Sequence, residues 1–542
     1  MEINNDGFHQ AFFKYGLFLL FAFPIVVFIL LPILSVLIES FRSEDGFTLI
    51  NYKEFFLKRY YYGALLNSLM LAVITSSIVV VVATIFALFM TKTTSALRFP
   101  LKIMIMLPFI APPYLFSLSL IVLFGRRGIL AALLGIRPDI YGWPGIIIAQ
   151  VAGFIPLAYI LIENVLISID PTLEDAAYDI GASQSKTLFK VTLPLAIPGL
   201  LKAFLLVFIW SMADFANPAL IGKGLSLLAP DAYLLIVGEN NTSMASVLCI
   251  FLVLPSLCIF VVHKYLFMGR SYTTISGKPQ SSESQRMGPY LRVPIMAICI
   301  AISLFIMINI SLVFFTAFVK VPVFNNTFTL EHTFVSGRVE EVLLTSLKMA
   351  ISASLIGSAL SACLAYVISR RSFPFTNILE FISLMGFSVP GTVMGIGYIL
   401  IFNQVPYLTG TVLLLSLNTA FRVLSVGVEA GTSKLEQVDI SLEEAASDVG
   451  ASKISTILRI VFPLMKSSFF GSLIFIFLEG MVTVSAVIFL VSPGTDLASL
   501  KILSFVEHGH AGPGCGVAVL LIITVVIAIS IFNLLTRRTY KL

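Results

Sequence analysis

The chain has 542 residues, of which 58% are hydrophobic and only 12% charged, and its mean hydropathy is +1.00. Soluble domains carry about 25% charged residues, so too little charge is present to coat the three or four globular domains the length would allow. The 34 Lys and Arg against 29 Asp and Glu leave +5, with no concentrated basic face for nucleic acid, and the remaining class is a polytopic membrane protein.

A helix needs ~20 mostly apolar residues to cross a bilayer. Such runs predict spans near 12–41, 64–90, 101–124, 143–167, 198–221 and 244–266. A second set follows near 290–319, 342–368, 376–402, 409–432, 466–490 and 516–536. The runs are continuous rather than alternating, which favours an all-α fold of about 12 helices over a β-barrel. The Ser-, Gly- and Pro-rich basic stretch at 267–289 reads as a linker on the inner side. It divides the chain into two six-helix units, 1–266 and 290–542, and its basic character also suits contact with anionic membrane lipid.

Charge placement gives an orientation. With the N-terminus inside, the inner segments together with the span ends beside them hold 20 Lys and Arg and the outer segments 11, with Lys202, Lys348 and Arg422 deeper inside spans. The positive-inside bias therefore predicts that both termini are cytoplasmic. The first apolar run is too long for the core of a cleavable signal and lacks a small-residue cleavage site. Cys249, Cys258, Cys299, Cys363 and Cys515 form no CxxC pair and are expected to be small buried hydrophobes.

The two sets of spans are copies. Leu65–Leu69 (LLNSL) matches Leu343–Leu347 (LLTSL) at the start of each second span. LEDAAYDIGASQSKTLFKVTLPL (Leu173–Leu195) aligns without a gap to LEEAASDVGASKISTILRIVFPL (Leu442–Leu464), an offset of 269. Both segments follow the fourth span of their set. Six spans is an even number, so the repeats are parallel. Each segment opens like a capping box, Thr172-x-x-Asp175 and Ser441-x-x-Glu444, while Asp170-Pro171 offers the first copy another start. Ala176-Ala177 and Ala445-Ala446 then give a smooth surface that a partner could approach, and Gly181 and Gly450 supply a C-cap or turn. A second helical stretch is expected to run to Pro194 and Pro463, where the chain re-enters the membrane.

The pattern DAAYDIG and EAASDVG, closed by Pro194 and Pro463, resembles the EAA loop of binding-protein-dependent ABC importer permeases. The resemblance covers essentially the whole chain, with Asp175 standing where Glu is usual. It implies a type I ABC importer permease fold in a bacterial cytoplasmic membrane. It implies too that Asp175, Ala176, Ala177, Gly181, Glu444, Ala445, Ala446 and Gly450 dock against ATPase subunits. Two loops per chain imply two copies of a separate ATPase, together with an extracytoplasmic solute-binding protein. The Gly-Lys pairs at Gly222-Lys223 and Gly277-Lys278 lack the spacing of a phosphate-binding loop. No cofactor is therefore expected on this chain, and ATP with Mg belongs to the partner.

Polar residues inside spans are costly and mark candidate translocation paths. Asp214 and Asn217-Pro218 lie in the fifth span and Glu479 in the eleventh, with Arg422 of the tenth a candidate partner for Glu479. Either the Arg–Glu pair locks helices together or it lines a pathway. The offset places Asp214 opposite Thr483 and Trp210 opposite Glu479, about one helical turn apart in height. Glu507, His508 and His510 are weak candidates for a metal, against the simpler reading of a solvated loop.

The segments ADFANPALIG, LLAPDAYLLIVG and TVSAVIFLVSPGTDLAS are similar to those of fused ferric-iron permeases, which implies iron as cargo. Aminoalkylphosphonate and thiamine permeases share much of this layout. The rival classes are a carrier driven by an ion gradient and an intramembrane enzyme. No HExxH or GxSxG string supports the enzyme.

Overall fold

The computed structural model describes residues 21–43, 46–126, 128–267, 287–335, 339–370 and 375–536. Most of the expected linker and the beginning of the first expected span lie outside these residues. The fold is an all-α membrane bundle, with two small two-stranded pairings, Arg42–Ser43 with Gly46–Phe47 and Val319–Val321 with Asn325–Phe328, one after the opening span of each set. Among the described residues, nine helices are long and apolar enough to cross a membrane, or eleven when each of two bent pairs counts as one span. The expected sixth span falls on Thr242–Phe267, a 26-residue helix.

Proline explains the sharpest departures from straight rods, although the pair Val412–Arg422 and Leu424–Glu436, bent by 44°, contains none. The expected ninth span is two helices, Thr376–Ser388 and Gly391–Phe402, bent by 110°. Pro390 is the N-cap residue just before the second of them. It has no N–H for the helix ladder and holds Val389 in an extended conformation. The expected third span is broken likewise into Arg98–Met106 and Leu115–Phe124 around Pro108, Pro112 and Pro113.

At Pro194 and Pro463 the outcome is the opposite of the expected break. The fifth span runs on through Gln184–Ala213, and the eleventh through Ile454–Val482. Just before each proline the helix widens into a five-residue π turn, Leu188–Thr192 and Ile457–Val461. Widening moves the carbonyl that the proline ring would strike, so the helix passes the proline without stopping. A third such turn, Val26–Leu30, precedes Pro32 in the first span.

The serine of the LLxSL repeat has a defined task. Ser68 Oγ accepts from Leu228 N at 3.0 Å, and Ser346 Oγ accepts from Ala498 N at 2.8 Å. These amides open the short helices Leu228–Val237 and Ala498–Glu507, which fold back against each set after the fifth and eleventh spans. Each serine thus satisfies a helix-end donor that would otherwise be buried without a partner.

The two sets are interlocked by their opening spans. The first span, Phe21–Ser40, packs on Gly391–Phe402 of the second set. Ile25 and Ile29 share a core with Leu364, Leu379, Ile382 and Phe421. Tyr398 OH donates to Phe28 O at 2.9 Å, and Ser35 Oγ to Gly397 O at 3.3 Å. Reciprocally, Asn309 in Pro289–Ala317 accepts a 2.6 Å bond from Ser119 of the first set, and Ile306 packs with Leu71, Phe116 and Leu120. Cys249, Cys299 and Cys515 are buried, but Cys258 and Cys363 face outward from their helices, where the surrounding medium is itself apolar.

The interlock depends on small residues, because the apolar medium offers no hydrophobic drive between helices. A Cβ added to Gly397 would run into the Pro32 backbone. Gly397→Leu should therefore cost about 1–3 kcal/mol through overpacking. A lowered melting temperature of the detergent-solubilised chain is expected, and an unchanged one would contradict this packing.

Candidate functional site

The two repeat loops are built alike, though not capped as expected. Asp170 Oδ1 accepts from Thr172 N at 3.0 Å with Pro171 in the first helical position, and Asp439 Oδ1 accepts from Ser441 N at 2.9 Å. Asp170 is thus the N-cap of the first loop helix, and Asp439 holds the start of the second from one residue before its N-cap Ile440; neither Thr172 nor Ser441 is the cap. Donation from the backbone, supported by the neighbouring hydroxyl, holds both carboxyls below the usual aspartate range. A depressed pKa means that the caps stabilise the loops above the ordinary range and are lost only on acidification through the depressed values. Both are fully engaged near neutral pH.

The loop helices are Pro171–Asp179 and Ser441–Asp448. Gly181 (φ +81°) and Gly450 (φ +84°) close them. Gly181 N bonds Tyr178 O at 2.8 Å and Ala182 N bonds Ala177 O at 3.0 Å; Gly450 and Ala451 repeat the pair on Ser447 and Ala446 at 2.9 and 3.0 Å. Paired bonds of this kind around a left-handed glycine form a Schellman closure.

The inward-facing acids of these loops are Glu174, buried, and Glu443, half-buried, each one residue before the expected acid. Glu174 receives Lys92 Nζ at 2.7–2.8 Å and the Thr192 hydroxyl at 2.7 Å. Its counterpart Glu443 receives Arg370 Nε at 2.7 Å and Tyr366 OH at 3.0 Å. Lys92 ends the second span, Arg59–Lys92, and Arg370 follows the eighth, Val339–Ser369. Each loop is therefore tied by one acid–base pair to a long helix of its own set. The signal was present in the sequence, since both glutamates fall at the 269 offset and both bases at the LLxSL offset.

The remaining expected docking residues divide by exposure. Ala176, Gly181, Glu444, Ala445 and Gly450 are exposed, Asp175 and Ala446 partly so, and Ala177 is buried. Ala177 therefore packs inward instead of extending the smooth outer surface. What the loops present is apolar. Leu173, Ala176 and Ile180 share one helical face, as do Leu442, Ala445 and Val449. Ile180 is 86% and Val449 89% exposed, the matched apolar tips of the two loops.

A second site lies between the sets, inside the bundle. A cavity of about 180 Å³ is lined by Asp214, Trp210, Phe154, Arg422, Glu479 and Thr483, among others. Asp214 sits at the break between the fifth span and the short helix Ala216–Ile221. Its Oδ2 receives Gln150 Nε2 and Asn217 Nδ2, both at 2.8 Å, and its Oδ1 receives Asn217 N at 3.3 Å. Gln150 Oε1 in turn accepts from Thr75 and Ser211, at 3.0 and 2.7 Å, and Asn217 Oδ1 accepts from Ser117 at 2.7 Å. Asn217 is buried and supports Asp214 from behind rather than lining the cavity. Gln150, which organises this network, gave no signal beyond being a lone amide in an apolar run.

Arg422 Nη2 meets Glu479 Oε2 at 2.9 Å in a single contact, and Arg422 Nε has no partner among the described residues. The sequence pairing of these two residues is therefore a contact in the fold. His508 and His510 do not converge on a ligand set. Both are exposed, and the His508 ring lies 2.7 Å from Ser504 O of its own helix. Among the described residues, no group of three His, Cys, Asp or Glu is arranged to hold a metal.

Relatives of the chain are transport proteins. The ferric transport system permease protein FbpB of Actinobacillus pleuropneumoniae is 33% identical over 473 residues, covering 84% of this chain and 68% of the relative. A putative ferric transport system permease protein FbpB 1 from Haemophilus influenzae is 32% identical over 489 residues, 87% and 77% of the two chains. The molybdenum transport system permease protein ModB of Escherichia coli K12 is 30% identical over 168 residues, 30% of this chain and 73% of that one. Residues 80–271 and 353–541 each match the family described as binding-protein-dependent transport system inner membrane component. With both repeats matched and ferric permeases similar over most of its length, the chain belongs to that family of membrane-spanning permeases.

Proposed function

We propose that this chain is the permease of an ATP-driven importer for ferric iron, working by alternating access. Two copies of an ATPase subunit dock on the two repeat loops, and a solute-binding protein delivers cargo on the opposite side. Both termini are then cytoplasmic, in keeping with the distribution of Lys and Arg. ATP and Mg act in the partner, and this chain contributes no catalytic residue.

The observation that carries the coupling role is the matched pair of tethered apolar tips. Each loop offers an exposed apolar face to a partner and is tied from behind to a long span of its own set. A push on Ile180 or Val449 therefore reaches the second or eighth span through Glu174–Lys92 or Glu443–Arg370. Iron as cargo is supported by the names of the two long relatives.

Two results are expected with the transporter assembled in proteoliposomes. Glu174→Ala removes the carboxylate that Lys92 meets at 2.7 Å, and breaking such a little-exposed pair costs about 3–5 kcal/mol. Iron uptake should be lost while the chain still inserts and binds its ATPase, and normal uptake would remove the tether from the coupling path. Substituting the loop tip tests docking separately. No atom lies within 4 Å of a Cβ built on Gly450, so Gly450→Trp disturbs little in this chain beyond strain of about 1–2 kcal/mol. It is expected to abolish transport and co-purification of the ATPase, as is Ala446→Trp. Full activity in both variants would refute the coupling role of the loop.

A further inference from the structure

The two repeats share a backbone plan, yet their side chains around the central cavity have exchanged chemistry. Aligning Gly142 with Gly410, the glycines that precede the fourth and tenth spans, puts Phe154 opposite Arg422 and Gln150 opposite Asn418. Trp210 stands opposite Glu479 at the loop offset. Where the second repeat has its Arg422–Glu479 ion pair, the first has an edge-to-face aromatic pair, Phe154 with Trp210, centroids 6.0 Å apart.

The converse holds for the network behind Asp214. Thr75, Ser117, Ser211, Asp214 and Asn217 correspond to Ala353, Gly395, Gly480, Thr483 and Ala486. The second repeat has closed that space by packing. A Cβ on Gly395 would lie 2.7 Å from Ala486 O, and one on Gly480 3.1 Å from Ala350. Besides the Thr483 hydroxyl, the amide of Asn418 remains there, buried and without a partner for either polar atom among the described residues.

Charge follows from this division. The ionisable residues lining the cavity are Asp214, Arg422 and Glu479. Arg422 and Glu479 offset each other. Asp214 has no cation among its hydrogen-bond partners, and every one of them is an N–H donor, the set that suits an ionised carboxylate. An ion held in an apolar interior by neutral donors alone still favours an opposite charge beside it.

We propose that Asp214 is the charge-selecting group of the pathway, aimed into the cavity by Gln150 and Asn217, and that it admits a metal cation and disfavours an oxyanion. The cation is handled on the side of the first repeat, and the Arg422–Glu479 pair faces it as a self-compensated wall. Gln150 is a positioning residue, acting through Asp214. This inference rests on the reading of the chain as an import pathway, and it names the class of cargo that pathway takes.

The test uses the complete transporter with its ATPase and binding protein in proteoliposomes, measuring uptake of radioiron(III) and ATP hydrolysis together. Asp214→Asn removes the charge and keeps the shape. Uptake should fall at least tenfold while hydrolysis stimulated by the binding protein stays within twofold, and Asp214→Glu should recover part of the uptake. Gln150→Ala should reduce uptake less than Asp214→Asn and add nothing in the Asp214→Asn background. Wild-type uptake by Asp214→Asn overturns the proposal, as does loss of uptake and hydrolysis together, or an additive double variant. If the wild type carries another metal cation and Asp214→Asn blocks it, iron is the wrong cargo and the selecting role stands. Uptake of radiomolybdate by the wild type would overturn both.

Discussion

A carboxylate placed among membrane-spanning helices must find its partners inside the protein, because the surrounding medium supplies none. Two acids inside the bundle meet that constraint, and two on the repeat loops are partnered as well. Glu174 and Glu443 are tied to a base at the end of a long span, Glu479 leans on Arg422, and Asp214 is held by amides alone. Much of what distinguishes this bundle from a stack of apolar rods is arranged around those solutions. The tethers join the repeat loops to the spans behind them, and the other two acids line the cavity between the sets.

The repeats keep what carries mechanical connection and change what touches the cavity. The Ser68 and Ser346 caps, the π turns before Pro194 and Pro463, the glycine closures and the acid–base tethers recur in both copies. Around the cavity the copies differ in net charge and polarity. A symmetric pathway would place two like charges face to face in an apolar interior, which is expensive at short range. Dividing the work lets one repeat hold the single uncompensated charge while the other closes its own polar groups into a pair.

Much of this was legible in the chain itself. The spans follow from continuous apolar runs, and the family from two copies of one loop in register. The pairing of Arg422 with Glu479 was readable because a lone cation and a lone anion in neighbouring apolar stretches have few other partners. Less legible were the features set by geometry within a turn or across many residues. Asp170 and Asp439 hold the starts of the loop helices because their carboxylates reach backbone donors that the nominal capping-box hydroxyls do not. Glu174 was overlooked beside Asp175, since adjacent helix positions differ by about 100° and only tertiary contact tells which faces inward.

Sequence alone determined the all-α membrane class, the twofold repeat and the placement of the two loops, because hydropathy and self-similarity are properties of the chain taken linearly. The tertiary structure decided how the repeats embrace. Each opening span packs across the boundary between the sets, at Gly397 and at Asn309, and such contacts depend on close approach between residues hundreds of positions apart. It also decided that Gln150, unremarkable in its apolar run, is the hub that fixes Asp214. A lone amide acquires meaning only when folding brings a carboxylate and two hydroxyls within hydrogen-bond reach of it.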